Sequence, residues 1–298
     1  MKVRIGYGLG TSGMSGEAER FGPFVDDLER LHFDSLWLSE RVGSGAPDPL
    51  AALAFAAGRT QRLKLGTSVL VVPGRNPVLL AKELATIDRL SDGRLLPAVG
   101  LGAVDPHEQQ AFGVERGDRA AWFDEAVPLL RRLWQGEPVD HRGERFRLDG
   151  VRVLPTPVQE PLELWLGGRA PSELRRVGRL GDGWLPSFCT PDDVVAGRKL
   201  VEEAAAAAGR TIDPEHWGAL VAYATRPLPD RVAALLAKRR PDIDPTAIVP
   251  VGLPALRATL ERFCEVGTSK FVVVPVDEPA DWTEALEAVA EAVLPLQV

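Results

Sequence analysis

The chain has 298 residues, of which 45% are hydrophobic and 26% charged, enough to bury a large core. Its 42 acidic and 35 basic side chains leave a net charge of -7, which argues against nucleic acid as the main partner, because a phosphate backbone demands a basic face. A single phosphorylated small molecule stays open, since backbone N–H groups at a helix start hold one anion without net positive charge.

The start, Met1-Lys2-Val3-Arg4-Ile5, lacks the apolar run of a secretory leader. No window approaches the ~18 apolar residues of a membrane span. Cys189 and Cys264 lie far apart in a thiol-poor chain and read as two buried free thiols. A cytoplasmic location is the default expectation.

Eight apolar runs rich in Val, Leu and Ile follow one another: 3–7, 35–38, 63–72, 95–101, 162–166, 183–186, 219–224 and 271–274. Near-continuous apolar strands suit a parallel sheet covered on both faces. Helical periodicity fills most of the gaps, so residues 1–298 are expected to form one α/β domain, a (β/α)8 TIM barrel with insertions in its loops.

Helix punctuation supports that count. Asp48-Pro49, Asn76-Pro77 and Thr190-Pro191 each put a capping side chain before a proline at the first helical position. Asp193, three residues after Thr190, approximates a capping box. Gly209 and Gly267 stand where left-handed caps would end the helices before them, the first of these carrying the helix-forming run Ala204–Ala208.

Three places strain the pattern. Pro97 removes a donor from the fourth strand and suits a strand end or bulge better than a centre. Residues 136–159, rich in Gly, Pro and charge, read as an excursion before the fifth strand. Residues 227–250 hold five prolines and the basic cluster Lys238-Arg239-Arg240. They read as an insertion near the seventh strand that could form a lid, with the cluster as a solvated helix end.

Gly8-Leu9-Gly10-Thr11-Ser12-Gly13 matches the G-x-G-x-x-G dinucleotide fingerprint, with Glu40 at the end of the second strand as a ribose-binding acid. The helix is expected to begin near Glu17 or later, so these glycines do not open it. Glu40 also lies farther on than the usual ~20 residues. A loop at the barrel mouth is the plainer alternative. His32, His141 and His216 lie apart without metal-ligand spacing, and neither a nucleophile elbow nor a Walker loop is present.

The third run, Leu65-Gly66-Thr67-Ser68-Val69-Leu70, leads into Val71-Val72-Pro73-Gly74-Arg75-Asn76-Pro77. Ser91-Asp92-Gly93-Arg94 then turns into the fourth, which closes with Val99-Gly100-Leu101-Gly102. Trp165-Leu166-Gly167-Gly168 and Gly181-Asp182-Gly183-Trp184-Leu185-Pro186 follow in order. This ordered set resembles the luciferase-like monooxygenase family, whose members include flavin-dependent monooxygenases and deazaflavin (coenzyme F420)-dependent oxidoreductases. The similarity covers most of residues 1–190, and the C-terminal third matches in outline.

The resemblance implies a barrel of the bacterial-luciferase type with its cofactor at the strand C-termini. It also implies a homodimer. In similar proteins the third strand bulges under the cofactor's tricyclic ring, often through a non-proline cis peptide; the matching bond is Ser68–Val69. Gly167-Gly168 looks like the phosphate-binding strand end, with Ser172 able to begin the following helix; a tight βα turn is the alternative. The implied cofactor-binding set is Ser39, Thr67, Ser68, Val69, Gly100, Gly102, Gly167, Gly168, Arg169 and Trp184. Trp165 and Trp184 are expected near the site.

Some deazaflavin members carry a histidine near the end of the second strand, where this chain has Glu40. A carboxyl in an apolar pocket can work as acid or base, so Glu40 is the candidate proton partner; Arg41 is expected on the opposite face. Contact with cofactor or substrate, and structural pairing, are the alternatives for Glu40. Ala103 stands where the sugar-phosphate dehydrogenase subgroup has a second acid, which weakens transfer of that activity. His107, Glu108 and Arg119 could face the ring or, as such residues more often do, stand in solvent.

The expected activity is hydride transfer between coenzyme F420 and a small organic substrate. The alternatives are an FMN-dependent monooxygenase, a flavin- or deazaflavin-binding carrier or sensor without turnover, and a cofactor-free isomerase or lyase.

Overall fold

The computed structural model describes residues 2–11, 14 and 18–298. Ser12, Gly13 and the expected helix start near Glu17 lie outside the described residues. All eight apolar runs form strands. β1 (Arg4–Gly8), β2 (Ser35–Leu38), β3 (Lys64–Val71) and β4 (Leu95–Gly100) alternate with α1 (Ala18–Arg30), α2 (Pro49–Arg59) and α3 (Pro77–Leu90). After β4 come α4 (Pro106–Phe112), α5 (Arg119–Leu133) and an antiparallel hairpin, β5 (Val139–Arg142) with β6 (Arg147–Val151). The barrel resumes with β7 (Trp165–Leu166), α6 (Pro171–Leu180), β8 (Gly183–Trp184) and α7 (Pro191–Ala207). Then follow β9 (Gly218–Tyr223), α8 (Asp230–Arg239), α9 (Pro245–Ile248), α10 (Leu253–Glu265), β10 (Lys270–Pro275) and α11 (Trp282–Val293).

The main sheet runs β8-β7-β4-β3-β2-β1-β10-β9 with parallel pairing throughout. Bridges Trp184–Trp217 and Ser187–Leu220 bring its two edges together into a nearly closed barrel. No described helix is long and apolar enough to cross a membrane.

The expected caps form. Asp48 accepts from Ala51 N at 2.9 Å and Asn76 from Val78 N at 2.9 Å. Thr190 and Asp193 make the reciprocal capping box, with Thr190 N donating to Asp193 at 2.7 Å. Gly209 and Gly267 have φ of 68° and 85°, as left-handed caps require. The 136–159 excursion contains the β5–β6 hairpin. Buried Asp88 tethers its end by accepting from Val158 N at 2.7 Å and Gln159 N at 3.0 Å.

Two expectations change. Pro97 sits inside β4, opposite Thr67, rather than at a strand end. Successive backbone N–H groups point to opposite sides of a strand. Ala98 N points to β3, where it donates to Thr67 Oγ1, so the missing Pro97 donor faces β7, whose pairing begins only at Ala98. Both cysteines are free, but only Cys189 is buried; Cys264 is partly exposed.

Large side chains fill the barrel interior, and glycines paired with them on the adjacent strands make room for them. Trp37, Ala98, Trp165, Leu185, Val272 and Val274 form this inner cluster. A Cβ on Gly66 would overlap the Trp37 indole, and one on Gly183 would overlap that of Trp165. The larger core lies outside, between strands and helices. Interior side chains thus plug the barrel and leave only its mouth open.

Charges close the other end. Arg4, Lys64 and Lys270 are the first residues of β1, β3 and β10, and they surround Asp34 just ahead of β2. Asp34 lies 3.2 Å from Lys64 and 3.3 Å from Lys270, with the aspartate and Lys270 side chains only 8% and 10% exposed. Burial would raise the Asp34 pKa, but Lys270 and then Lys64 outweigh it and hold the carboxyl below its usual range. Asp34→Asn leaves Lys270 buried without its counter-charge and is expected to lose about 3 kcal/mol of stability at pH 7. A carboxyl with a depressed folded pKa stabilises above its unfolded value near ~3.9 and ceases to do so as pH falls through the folded value. Urea denaturation should therefore show the gap between wild type and variant at pH 7, closing only below about pH 4. A loss under about 1 kcal/mol at pH 7 would assign the ring no stabilising role.

Candidate active site

A cavity of about 910 Å³ opens at the C-terminal ends of the strands, the face on which barrels of this kind carry their chemistry. Its floor is the bulge in β3. The β3–β4 register shifts between Ser68 and Leu70, so Val69 is an extra residue, and the Ser68–Val69 peptide is cis. A bulge frees backbone groups that need partners, and the end of β2 supplies them. Ser39 Oγ donates to Ser68 O at 2.9 Å, and Glu40 N donates to Val69 O at 3.3 Å. Val71 N donates to Glu40 Oε2 at 2.7 Å. On the other flank, Thr67 Oγ1 donates to Ala98 O at 2.7 Å and accepts from Ala98 N at 3.0 Å. Gly100 lies across from the bulge, where a Cβ would come within 2.7 Å of Val69 Cγ2.

Of the implied site residues, Ser39, Glu40, Ser68, Val69, Gly100, Gly102, Gly167 and Gly168 line this cavity. Thr67, Arg169 and Trp184 do not. Thr67 is fully buried and completes the β3–β4 ladder instead of facing a ligand. Trp184 is buried beneath the phosphate-type turn, and its Nε1 donates to Gly168 O at 2.9 Å. Arg169 contributes its backbone N–H to that turn. Trp165 is buried in the plug below.

Glu40 is held at both oxygens, by Val71 N and by Arg75, whose Nε also donates to Val71 O at 3.0 Å. Burial pushes its carboxyl pKa up, and Val71 N and Arg75 pull against that rise without cancelling it. Arg41 was expected on the opposite face, yet it lines the same cavity. β2 ends at Leu38, so strand alternation no longer governs residues 39–41. Arg41 pairs with Glu108 at 3.4 Å and with Asp105 at 3.8 Å.

The loop after β4 is tied down rather than solvated. Glu108 is buried and accepts from Gly43 N at 3.4 Å. Arg119 is buried too and donates to Ala103 O at 2.7 Å, which fixes the segment following Gly102. His107 is exposed and off the cavity. Ala103 lines the cavity, so the missing second acid leaves that wall without a titratable group.

At the Gly167–Gly168 turn, α6 begins at Pro171 and Ser172 lies within its first turn. Two backbone donors converge ahead of it. Arg169 N and Ala170 N donate to Glu173 Oε2 at 2.8 and 2.9 Å. A carboxylate oxygen already sits on these donors, so the seat suits an oxyanion.

The proline-rich segment after β9 forms α8 and α9 and covers one side of the cavity with Val232, Leu235, Leu236 and Val249. Phe188 completes that wall, a contact no spacing in the sequence announces. The basic cluster divides. Arg239 stacks over Phe188 at 4.8 Å and lines the cavity, while Arg240 is buried between Asp193 at 2.7 Å and Asp242 at 3.0 Å. Gly10 and Thr11 of the glycine-rich stretch also reach the cavity rim. Among the described residues no group of three or more His, Cys, Asp or Glu side chains is placed to hold a metal ion.

Thr67→Val is expected to destabilise the fold by about 2 kcal/mol, since it strips both partners from Ala98 in a buried ladder. Calorimetry against wild type checks this, and an unchanged melting temperature would mean water fills the gap. Gly100→Ala should displace Val69 into the cavity and weaken flavin-type binding about tenfold or more at little change in melting temperature. Equal affinity in fluorescence titration would show that the floor yields freely.

The model of the luciferase-like monooxygenase family matches residues 3–245. An F420-dependent glucose-6-phosphate dehydrogenase of Nakamurella multipartita is 33% identical over 232 residues, 71% of this chain and 64% of that protein. The matches span 63–65% of the length of the first curated relatives. A monooxygenase of Streptomyces bottropensis superposes with a TM-score of 0.80 at 25% identity, covering 98% of this chain and 99% of the other. An F420-dependent secondary alcohol dehydrogenase, solved with an F420–acetone adduct, superposes over 100% of both chains with a TM-score of 0.82 at 21% identity, a likeness of fold. With the bulged third strand and the glycine turns at the barrel mouth, these matches establish that the chain belongs to the luciferase-like monooxygenase family.

Proposed function

We propose that the chain is an oxidoreductase that passes a hydride between coenzyme F420 and a small organic substrate. The observation that carries this is the bulged Ser68–Val69 floor, facing an aliphatic wall across a cavity large enough for a tricyclic ring and a second molecule. The F420-dependent activities named for the relatives support the same choice. When bound, the deazaflavin supplies the hydride chemistry at its central ring carbon. The glycine turn before α6 suits the coenzyme's phosphate, beside the Arg169 and Ala170 N–H groups that Glu173 holds.

The protein's part is positioning, exclusion of water and proton handling. Ser68, Val69 and Gly100 form the floor under a ring. Val232, Leu235 and Leu236 of α8 keep water from its open face. Glu40, buried at the rim of that floor, is the proton partner, because burial raises the share of its neutral acid form. Val232, Leu235 and Leu236 give one wall an aliphatic face, while Arg41, Arg231 and Arg239 add cations to the lining. Ala103, in place of the second acid, argues for a small organic substrate other than a hexose phosphate.

FMN is the second reading, favoured by the 25% identity with a monooxygenase over nearly the whole chain. Reduced FMN reacts with oxygen, and the same cavity would then serve a monooxygenase.

Titration of the protein with oxidised coenzyme F420 and, separately, FMN, followed by tryptophan fluorescence, tests the cofactor. A micromolar dissociation constant for the deazaflavin and a much weaker one for FMN supports hydride transfer; the reverse order favours the monooxygenase. Binding of neither sinks both. With an active substrate in hand, Glu40→Gln should lower kcat about 100-fold while the deazaflavin Kd stays within about threefold. Matching losses in binding and turnover would reduce Glu40 to a prop for the bulge.

A further inference from the structure

The turn that suits a phosphate already carries a negative charge of its own. Glu173 Oε2 accepts from Arg169 N at 2.8 Å and Ala170 N at 2.9 Å, and the side chain lines the cavity beside Gly167 and Gly168. It folds back so tightly that a Cβ on Gly168, whose φ is 111°, would lie 2.7 Å from Glu173 Cβ. Two of the nearby cations are engaged elsewhere, while Arg169, on the turn itself, forms no ion pair among the described residues. Arg176 pairs with Asp124 at 2.6 Å, and Arg240 with Asp193 and Asp242 at 2.7 and 3.0 Å. No ion pair to Glu173 is formed among the described residues.

We propose that Glu173 selects the cofactor by the charge on its phosphate, favouring a phosphodiester over a phosphomonoester. This rests on the proposed use of a deazaflavin coenzyme. That coenzyme holds its phosphorus as a diester with one negative charge. FMN is a monoester whose second ionisation lies near pH ~6, so above it the group carries close to two charges. A phosphate received at this turn lies within several ångströms of the Glu173 carboxylate. Each unit of its charge meets repulsion worth roughly tenfold in affinity at an effective dielectric between protein surface and water. The monoester bears that penalty twice.

A carboxylate that simply swung away would penalise both cofactors alike, so the difference between them reports a carboxylate that stays. Gln at this position keeps an oxygen acceptor for the Arg169 and Ala170 N–H groups and removes only the charge. Trp184, whose Nε1 donates to Gly168 O at 2.9 Å, places a fluorophore on the same turn.

The test compares wild type with Glu173→Gln at pH 8 and low salt, measuring Kd by tryptophan quenching for four probes. These are riboflavin, FMN, the monomethyl phosphate ester of FMN, and oxidised coenzyme F420. FMN and its methyl ester share one ring and differ in one charge. In wild type, FMN is expected to bind about tenfold more weakly than its methyl ester. In Glu173→Gln the two should converge to within about twofold, with riboflavin affinity unchanged as the control for an intact cavity. Equal binding of FMN and its methyl ester by wild type overturns the inference, and that comparison needs no folded variant. A gap that persists in Glu173→Gln overturns it as well. If wild type binds the deazaflavin tightly and either of these results is found, the proposed function stands and the charge selection falls. If wild type binds none of the four, both fall together.

Discussion

The site depends on one local accommodation, the extra residue in β3. A bulge inside a closed parallel barrel disrupts the hydrogen-bond ladder on both flanks, and burial makes every unpaired group expensive. Here each flank has its own remedy. The last residues after β2 reach sideways with a hydroxyl, a backbone N–H and a carboxylate. Thr67 substitutes its side chain for the ladder at Ala98. Glu40 and Ser39 therefore hold up the floor of the cavity as well as facing into it, which links the fold to the site through the same few atoms.

The polar and apolar parts of the molecule are divided along the barrel axis. At the strand N-termini, Asp34 gathers three basic residues in a partly buried ring, an arrangement suited to stability. The middle is occupied by two indoles whose space is cleared by Gly66 and Gly183. Above that plug, titratable groups face open volume. Their pairing there, Glu40 with Arg75 and Arg41 with Glu108, keeps the rim ordered while one face remains aliphatic.

Much of the fold could be read from the sequence because its signals are local. Apolar runs, capping side chains before prolines and glycines after helices each depend on a few neighbouring residues, and all eight strands and the three proline-led caps appear where expected. The site was only partly readable, for a geometric reason. Ser68, Val69, Gly100 and Gly167 sit at strand ends that barrel topology must bring together, and they do converge. Thr67 is on the same strand, yet its hydroxyl turns into the ladder because the bulge leaves Ala98 in need of a partner from across the sheet. Arg41 defeated the rule of alternation because the strand had ended three residues before it, at Leu38. Glu108 and Arg119 look like surface residues by type, and only the packing of the loop after β4 buries them. Glu173 carries no signal in the sequence, because its closeness to Gly168 depends on a positive backbone angle that no pattern displays.

The wall formed by α8 and α9 has a small hydrophobic cluster of its own, Ala224, Leu236, Ile248 and Val249, separate from the main core. It is continuous in the chain, bounded by β9 and α10, and supplies much of the aliphatic lining opposite the floor. A designer grafting a foreign loop between residues 224 and 252 would change much of the cavity lining at once, and would have to replace the buried Arg240, whose ion pair with Asp193 ties the stretch to the start of α7.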